Sequence, residues 1–376
     1  MSAPRAGAWI RYGEPIREGE VEQAAQRYSV AILQPWETEA ARQLKSLNPA
    51  MTVLAYQCLS SVRDYEPGPV YTSGVSAAQA EDHDAALPAD SPHAWFATRP
   101  NGERIQWPGY GGHWQMRHWE PSYRARWIAN VVQRFAESPF DGVMADNDVY
   151  DDYYALDLPL SDGTTIEDIR ATLDEFVPQV GAALNAIGKI LVPNVAESRR
   201  DPGRWARHGA FGGAFEECWL SWADGHFLDP HHQLMQFDQV SPSSSGAPQV
   251  VVARIATDGS QSHTSFRYGL ASWWIAGAGR PGGFAATAHD GYTDSPWIEE
   301  LGWDLGSPKG PVRGRAGRRY RRFENGWAAI HLGPAGSEPL RFRPPAGHVD
   351  AAGRPVRSVE LAPHEGLVLR AQGATQ

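Results

Sequence analysis

The chain has 376 residues, 42% apolar and 21% charged, with 44 acidic against 34 basic side chains and a net charge of −10. That balance excludes a disordered chain, a collagen and a coiled-coil rod, and it argues against nucleic acid or an anionic membrane as the main partner. Two cysteines, Cys58 and Cys218, are too few for a disulfide scaffold or a multi-cysteine zinc fold. No run approaches the roughly 20 apolar residues of a membrane span. Nothing hydrophobic follows Met1-Ser2-Ala3-Pro4-Arg5, so no signal peptide is visible, and the expected location is the cytoplasm unless a signal has been removed. The 15 tryptophans stand out: such rings suit a core, and equally the faces of sugars.

Short strand-type runs alternate with helical stretches along the first 300 or so positions. Ala8–Tyr12 reads as a strand, Arg17–Arg27 as an exposed helix, and Tyr28–Leu33 as a second strand. Trp36–Leu47 is an amphipathic helix and Thr52–Gln57 a third strand. A long interruption follows, from residue 58 to 119, rich in Pro, Gly, Asp and Trp, with a hairpin expected over Trp95–Trp107 on its Asn-Gly turn. Connections this long are usually functional. The pattern resumes with a helix over Ser122–Phe135, a fourth strand over Gly142–Asp146 and a helix over Thr165–Ile187. Strands five to eight fall on Ile190–Val195, Phe211–Glu217, Val250–Ile255 and Gly282–Thr287. Between them lie helical pieces at Pro202–His208, His231–Phe237 and Ser265–Ala276, with a flexible loop at Ser241–Gly246.

Eight β/α units predict an α/β protein, a (β/α)8 TIM barrel over residues 1–304. A doubly wound open sheet is the rival, but no GxGxxG or P-loop follows any strand. Residues 305–376 open on a Gly/Pro/basic linker and continue as short strand-like runs, the pattern of a small C-terminal all-β module.

In such a barrel the chemistry sits at the C-terminal ends of the strands. Those ends carry Tyr12, Gln34, Tyr56 with Gln57, Asp146 with Asn147 and Asp148, Asn194, Glu217, Arg254, and Thr287 with His289. Strands four and six share a spacing: Gly142 and Gly213 each precede a carboxylate, Asp146 or Glu217, by four positions. Positions i and i+4 of a strand face the same way. The two acids are therefore expected at similar heights and able to approach across the barrel mouth. Two opposed carboxylates serve glycoside cleavage, one protonating the departing oxygen and the other attacking the sugar or activating water. Each acid could instead cap a helix or pair with Arg254. A one-residue slip would put Glu216 in the place of Glu217.

Tyr56, Trp114, Asn147, Asn194, Trp219 and Arg254 are the candidates for binding hydroxyls and sugar rings. Trp119, Trp222, His113 and His118 are further positions near strand ends or in the insertion, whereas Trp273 and Trp274 read as core. Asp148, Asp151 and Asp152 read as a solvated acidic loop. The run from Asp224 to His232 (DGHFLDPHH) matches no known zinc spacing and reads as loop and helix start.

Several segments resemble the glycoside-hydrolase-like TIM-barrel family numbered fifteen, which is similar more distantly to the endo-polygalactosaminidase group and the α-galactosidase-like superfamily. They are YSVAILQPW, LKSLNPAMTVLAYQ, HAWFATRPNGERI, the YRARWIANVV helix leading into FDGVMADN, and GGAFEECW. The tail, LGSPKGPV and YRRFENGWAAIHLGP, looks like the family's closing β-module. The resemblance implies Asp146 as nucleophile, Glu217 as acid/base, and retention of configuration. Many relatives carry Tyr-x-Asp before the YRARW-type helix, where this chain has Gln115-Met116-Arg117-His118.

The expected function is hydrolysis of a poly- or oligosaccharide, with a carbohydrate as the partner and no cofactor. Two other readings fit the same residues: a non-catalytic carbohydrate-binding barrel, and a metal-dependent hydrolase using the histidine cluster or Asp146 with Asp148.

Overall fold

A computed structural model describes residues 6–88, 91–242, 248–288, 291–292 and 294–374. His289 and most of the loop expected at Ser241–Gly246 lie outside the described residues. Eight strands follow one another in chain order within one sheet: β1 (Ala8–Arg11), β2 (Val30–Leu33), β3 (Thr52–Cys58), β4 (Gly142–Asp148), β5 (Ile190–Val195), β6 (Gly213–Glu216), β7 (Val250–Ala256) and β8 (Gly282–Thr287). They are buried almost throughout and correspondingly apolar, as parallel strands covered by helices are. The last meets the first: Gly7 bridges Phe284 in parallel, and the Phe284 N–H donates to the Ala6 carbonyl at 2.7 Å. The fold is the (β/α)8 barrel that the alternation predicts, with extra strands after it. No helix of the described residues is long and apolar enough to cross a membrane.

The chain forms two compact units, Met1–Ile32 with Gln43–Thr52 and Phe215–Gln376, and Leu33–Arg42 with Val53–Ala214. In the first, helix α1 (Glu20–Arg27) starts three residues later than expected, because Gly19 takes a left-handed φ of 80° at its N-cap. Helix α8 (Thr264–Gly277) is buried along nearly its whole length, Thr264 and Arg267 apart, and its packing explains why. It lies on β7 and β8 and also on two strands of the C-terminal sheet, β10 (Gly326–His331) and β14 (Gly366–Ala371). A helix covered on both sides needs no polar face, so Trp273 and Trp274 are buried as expected. The C-terminal sheet runs β9 (Arg318–Arg322), β10, β14, β12 (His348–Val349), all antiparallel, beside a pair made of β11 (Leu340–Phe342) and β13 (Val359–Leu361). Trp327, Ala329, Phe342, Leu361 and Leu369 form its core.

In the second unit β4 pairs with β3 and β5. The insertion supplies an antiparallel pair, Ser61–Arg63 with His113–Gln115, and helix α3 (Ala77–Ala85). The predicted hairpin is present: Gly102, at φ 83°, donates to the Arg99 carbonyl at 2.9 Å, and Thr98 bridges Arg104. Helix α3 buries only Ala80, so no apolar stripe announces it. Its local signal is the Ser76/Gln79 capping box.

Close pairing of β4 with β5 depends on Gly142, where a Cβ would stand 2.1 Å from the Ile190 carbonyl oxygen. Gly142→Ala is expected to lower the unfolding free energy by about 1–3 kcal/mol. The readout is the urea midpoint; an unchanged midpoint would mean that the two strands separate at no cost.

Candidate active site

Strand β4 runs two residues past its expected end, and the extra length shapes the surroundings of Asp146. The register between β4 and β5 shifts between Ala145 and Asp148, and Asn147 sits there at φ 67°. Asparagine is among the few side chains that tolerate that conformation. The bulge turns Asn147 back onto its neighbour. Its backbone N–H donates to Asp146 Oδ1 at 2.9 Å, and its side-chain amide to Oδ2 at 3.2 Å. Asn194, near the end of β5, donates to Oδ1 at 2.9 Å, and the Tyr56 hydroxyl on β3 donates to Oδ2 at 2.7 Å. Tyr56, Asn147 and Asn194 thus converge on a half-buried Asp146.

Each donor is itself held. Burial, and then the Asp146 charge, push the Tyr56 hydroxyl well above its ordinary pKa, so it keeps the proton it donates. Its oxygen accepts from Arg63 at 3.1 Å, and the Arg63 guanidinium lies 5.1 Å from the centre of its ring. Asn147 is fixed by the Tyr154 hydroxyl on its amide oxygen, by Ser60 on its carbonyl, and by Cys58 Sγ, 3.2 Å from its amide nitrogen. Burial pushes the Cys58 thiol up, which suits a packing role.

Glu217 lies one residue beyond the end of β6, half-buried, where a strand end was expected. Its carboxylate accepts from the Tyr292 hydroxyl. Burial and the neighbouring Glu217 hold Tyr292 well above its ordinary pKa, so it too remains a donor. Tyr12, at the end of β1, packs its ring 4.3 Å from that of Tyr292. Arg254 on β7 is fully buried and donates to Thr287 Oγ1 at 2.9 Å, to the Ala288 carbonyl at 2.7 Å and to the Glu217 carbonyl at 3.4 Å. It therefore braces the backbone of Glu217 and sits under the Tyr292 ring.

Other expected residues fall elsewhere. Trp219 is corrected: it is fully buried, stacked on Phe237 at 5.6 Å, and has no face to offer a sugar. Trp114 keeps a half-buried ring and donates to Asp64 at 2.8 Å. Glu216 is 2% exposed and accepts from the Cys218 N–H at 3.1 Å. Trp222 is exposed on a small hairpin, and Trp119 donates to Asp162 at 3.4 Å. Burial lowers the His118 pKa to about 3. In the histidine-rich run, Asp229 caps helix α7 (Pro230–Val240) and pairs with His232 at 2.6 Å. Among the described residues no three His, Cys, Asp or Glu side chains are grouped to hold a metal ion.

The acidic loop after β4 also differs from expectation. Asp148 is fully buried and pairs with Arg204 and with His208 Nδ1 at 2.5 Å, while His208 Nε2 reaches Asp174 at 2.7 Å. Arg204 and His208 come from the short helix α6 (Arg204–His208). Burial works against both charges, but the pairing prevails: Asp148 is held below its ordinary pKa and His208 above its own. Sequence reasoning missed these partners, and likewise Tyr292 and Arg63, which carry no motif.

The chain matches, over residues 45–327, the family described as hypothetical glycosyl hydrolase family 15. Among solved structures it is similar to the noncanonic maltogenic alpha-amylase AmyB from Thermotoga neapolitana, at 10% identity over 98% of this chain and 99% of that one, with a TM-score of 0.52. At that identity the likeness speaks for the fold. Aspergillus fumigatus Ega3, solved with galactosamine, is 12% identical over 79% of this chain and 96% of its own, with a TM-score of 0.49. The Geobacillus thermoleovorans alpha-amylase complexed with acarbose is 10% identical over 98% and 99%, with a TM-score of 0.48. No curated protein matches the chain. With a (β/α)8 sheet and a match that runs from the helix before β3 to strand β10, the chain belongs to hypothetical glycosyl hydrolase family 15 and is a glycoside hydrolase.

Proposed function

We propose that the enzyme cleaves O-glycosidic bonds of an oligo- or polysaccharide by double displacement. An Asp146 oxygen attacks the anomeric carbon as the bond to the leaving oxygen breaks, and Glu217 gives that oxygen its proton. Glu217 then takes a proton from water, the water oxygen displaces Asp146 from the sugar, and configuration is retained. The observation that carries this reading is the set of four donors converging on Asp146. They fix the carboxylate in one orientation, as a group aimed at one carbon must be. A carboxylate has about four lone-pair sites, so one donor must yield for attack. The Asn147 amide fits that part, being equally close to Cys58 Sγ.

In this reading Tyr56, Asn147 and Asn194 orient the nucleophile and border the sugar, and Trp114 offers its half-buried ring to a neighbouring unit. Tyr292 and Arg254 position Glu217. Glu216, enclosed and bonded to the Cys218 N–H, is less suited to proton transfer.

Glu217→Gln tests the acid role. Its kcat/KM on an alkyl glycoside, which reports the first displacement, is expected to fall about 10²–10⁴-fold, and much less on an aryl glycoside whose phenolate leaves without a proton. Equal losses on both would remove Glu217 from that role. Proton NMR of the first-formed product is expected to show the substrate's own anomer, and the opposite anomer would rule out the covalent route.

A further inference from the structure

The C-terminal strands carry a concave site that the proposed cleavage chemistry does not use. A cavity of about 420 Å³ is lined by Arg318, Arg322, Arg341 and Arg343 together with Tyr320 and Phe342. Its charge follows from the sequence. Seven Lys or Arg side chains fall between 309 and 322, and no acid occurs from 305 to 323, in a chain whose net charge is −10. Alternation along β9 sorts them. Arg318, Tyr320 and Arg322 line the cavity, while Arg321 is tied to the Ile275 carbonyl at 2.9 Å and the Gly310 carbonyl at 3.2 Å.

The four arginines of the cavity are not equivalent. Arg318 donates to the Arg341 carbonyl at 2.9 Å and lies 5.2 Å from the centre of the Phe342 ring, so it is fixed. Its Nε is nevertheless buried without a hydrogen-bond partner, a group that an incoming acceptor would satisfy. Arg341 is paired with Glu360 at 3.1 Å. Arg322 and Arg343 are exposed, and among the described residues neither guanidinium has an acidic partner. These two guanidinium groups and the orphaned Arg318 Nε surround the half-buried Tyr320 ring, so donors and an apolar face line the same cavity. They match a ligand that carries oxyanions on a ring with an apolar face.

We infer that this groove binds an acidic glycan, whose carboxylate or sulfate groups pair with Arg322 and Arg343 while a sugar face packs on Tyr320. Guanidinium binds carboxylates and tetrahedral oxyanions bidentately, and the tyrosine supplies the apolar platform. Nucleic acid fits less well. A duplex carries about one charge per 1.7 Å and each of its strands about one per 3.4 Å, which the acidic remainder of the chain would repel, whereas a sugar acid spaces its charges a residue apart. The site is independent of Asp146 and Glu217, and would hold an acidic polymer on the enzyme whether or not it is the chain being cut.

The test is titration calorimetry on the full chain carrying Asp146→Asn, which prevents turnover of any ligand. Oligogalacturonate, dextran sulfate, neutral maltooligosaccharide and single-stranded DNA are compared at low salt. At least one acidic glycan is expected to bind, the neutral one not, and Arg322→Ala with Arg343→Ala to weaken binding at least about tenfold. Raising salt toward about 1 M, where the Debye length is about 3 Å, is expected to abolish it. Preference between oligogalacturonate and dextran sulfate assigns carboxylate or sulfate as the recognised group. Failure of both acidic glycans to bind, binding indifferent to the double substitution, or tighter binding of DNA would each overturn the inference. Both arginines are exposed, so the double variant is expected to melt with the parent.

Discussion

Asp146→Asn is expected to lower kcat by about 10⁴-fold or more, with the fold retained. An amide oxygen does not form the glycosyl ester through which the proposed double displacement runs, and no side chain seen around Asp146 replaces it. The substitution is nearly isosteric, but the donors around the site respond to it. Tyr56, Asn194 and both nitrogens of Asn147 all point hydrogens at the present carboxylate. The new amide oxygen can accept from one side only, and its NH2 group meets donors on the other. That mismatch costs about 1–3 kcal/mol, so a lower melting temperature accompanies the kinetic loss without unfolding the protein. Kinetics and melting should be measured on the same preparation. A variant that melts slightly earlier and still turns over at the wild-type rate would remove Asp146 from the chemistry.

Asp148→Ala is expected to be a strongly destabilising single change, by about 3–5 kcal/mol, because it leaves the Arg204 charge buried without its ion-pair partner and takes from His208 the inner of its two carboxylates. Arg204 and His208 are both buried, so neither gains water in exchange for the lost carboxylate. The same network gives stability a pH dependence whose sign is fixed. His208 is raised above its ordinary 6.5, so its contribution is full below 6.5 and is lost as pH rises through the folded value. Asp148 is depressed below its ordinary 3.8, so its contribution is present above 3.8 and is lost as pH falls through the folded value. Urea midpoints across neutral to alkaline pH should therefore decline in the wild type. His208→Gln should start lower and lose that decline. A parallel decline in both would place its origin elsewhere.

The eight barrel strands were legible because each is a short apolar run closed by Gly, Pro or polar residues, the pattern of strands covered on both faces. Asp146, Tyr56 and Asn194 were legible for a related reason, as polar residues at or near the ends of such runs. What failed was whatever depended on distant partners. DNDVYDD looks like a solvated stretch until Arg204 and His208, 56 and 60 residues further on, are seen to bury Asp148. Trp219 was expected to face sugar because it lies near a strand end. The chain turns instead, Leu220 taking φ 65°, and the ring goes into the core. Arg63 ends a three-residue strand of the insertion and Tyr292 lies in an irregular stretch, and no periodicity reveals which side chain will reach back to a barrel strand end. The helix at Ala77–Ala85 was hidden because it buries almost nothing.

The pairing of the stretch before β1 with β8, through Ala6, Gly7 and Phe284, carries a cost during synthesis. A ribosome adds about 5–20 residues per second. The partner for the first strand therefore emerges about 15–55 s after the strand itself. Throughout that interval an apolar segment, AWIR, has one side without its native neighbour and can pair with another nascent chain. Soluble yield should then depend on growth temperature and chaperone supply more than on the stability of the finished enzyme.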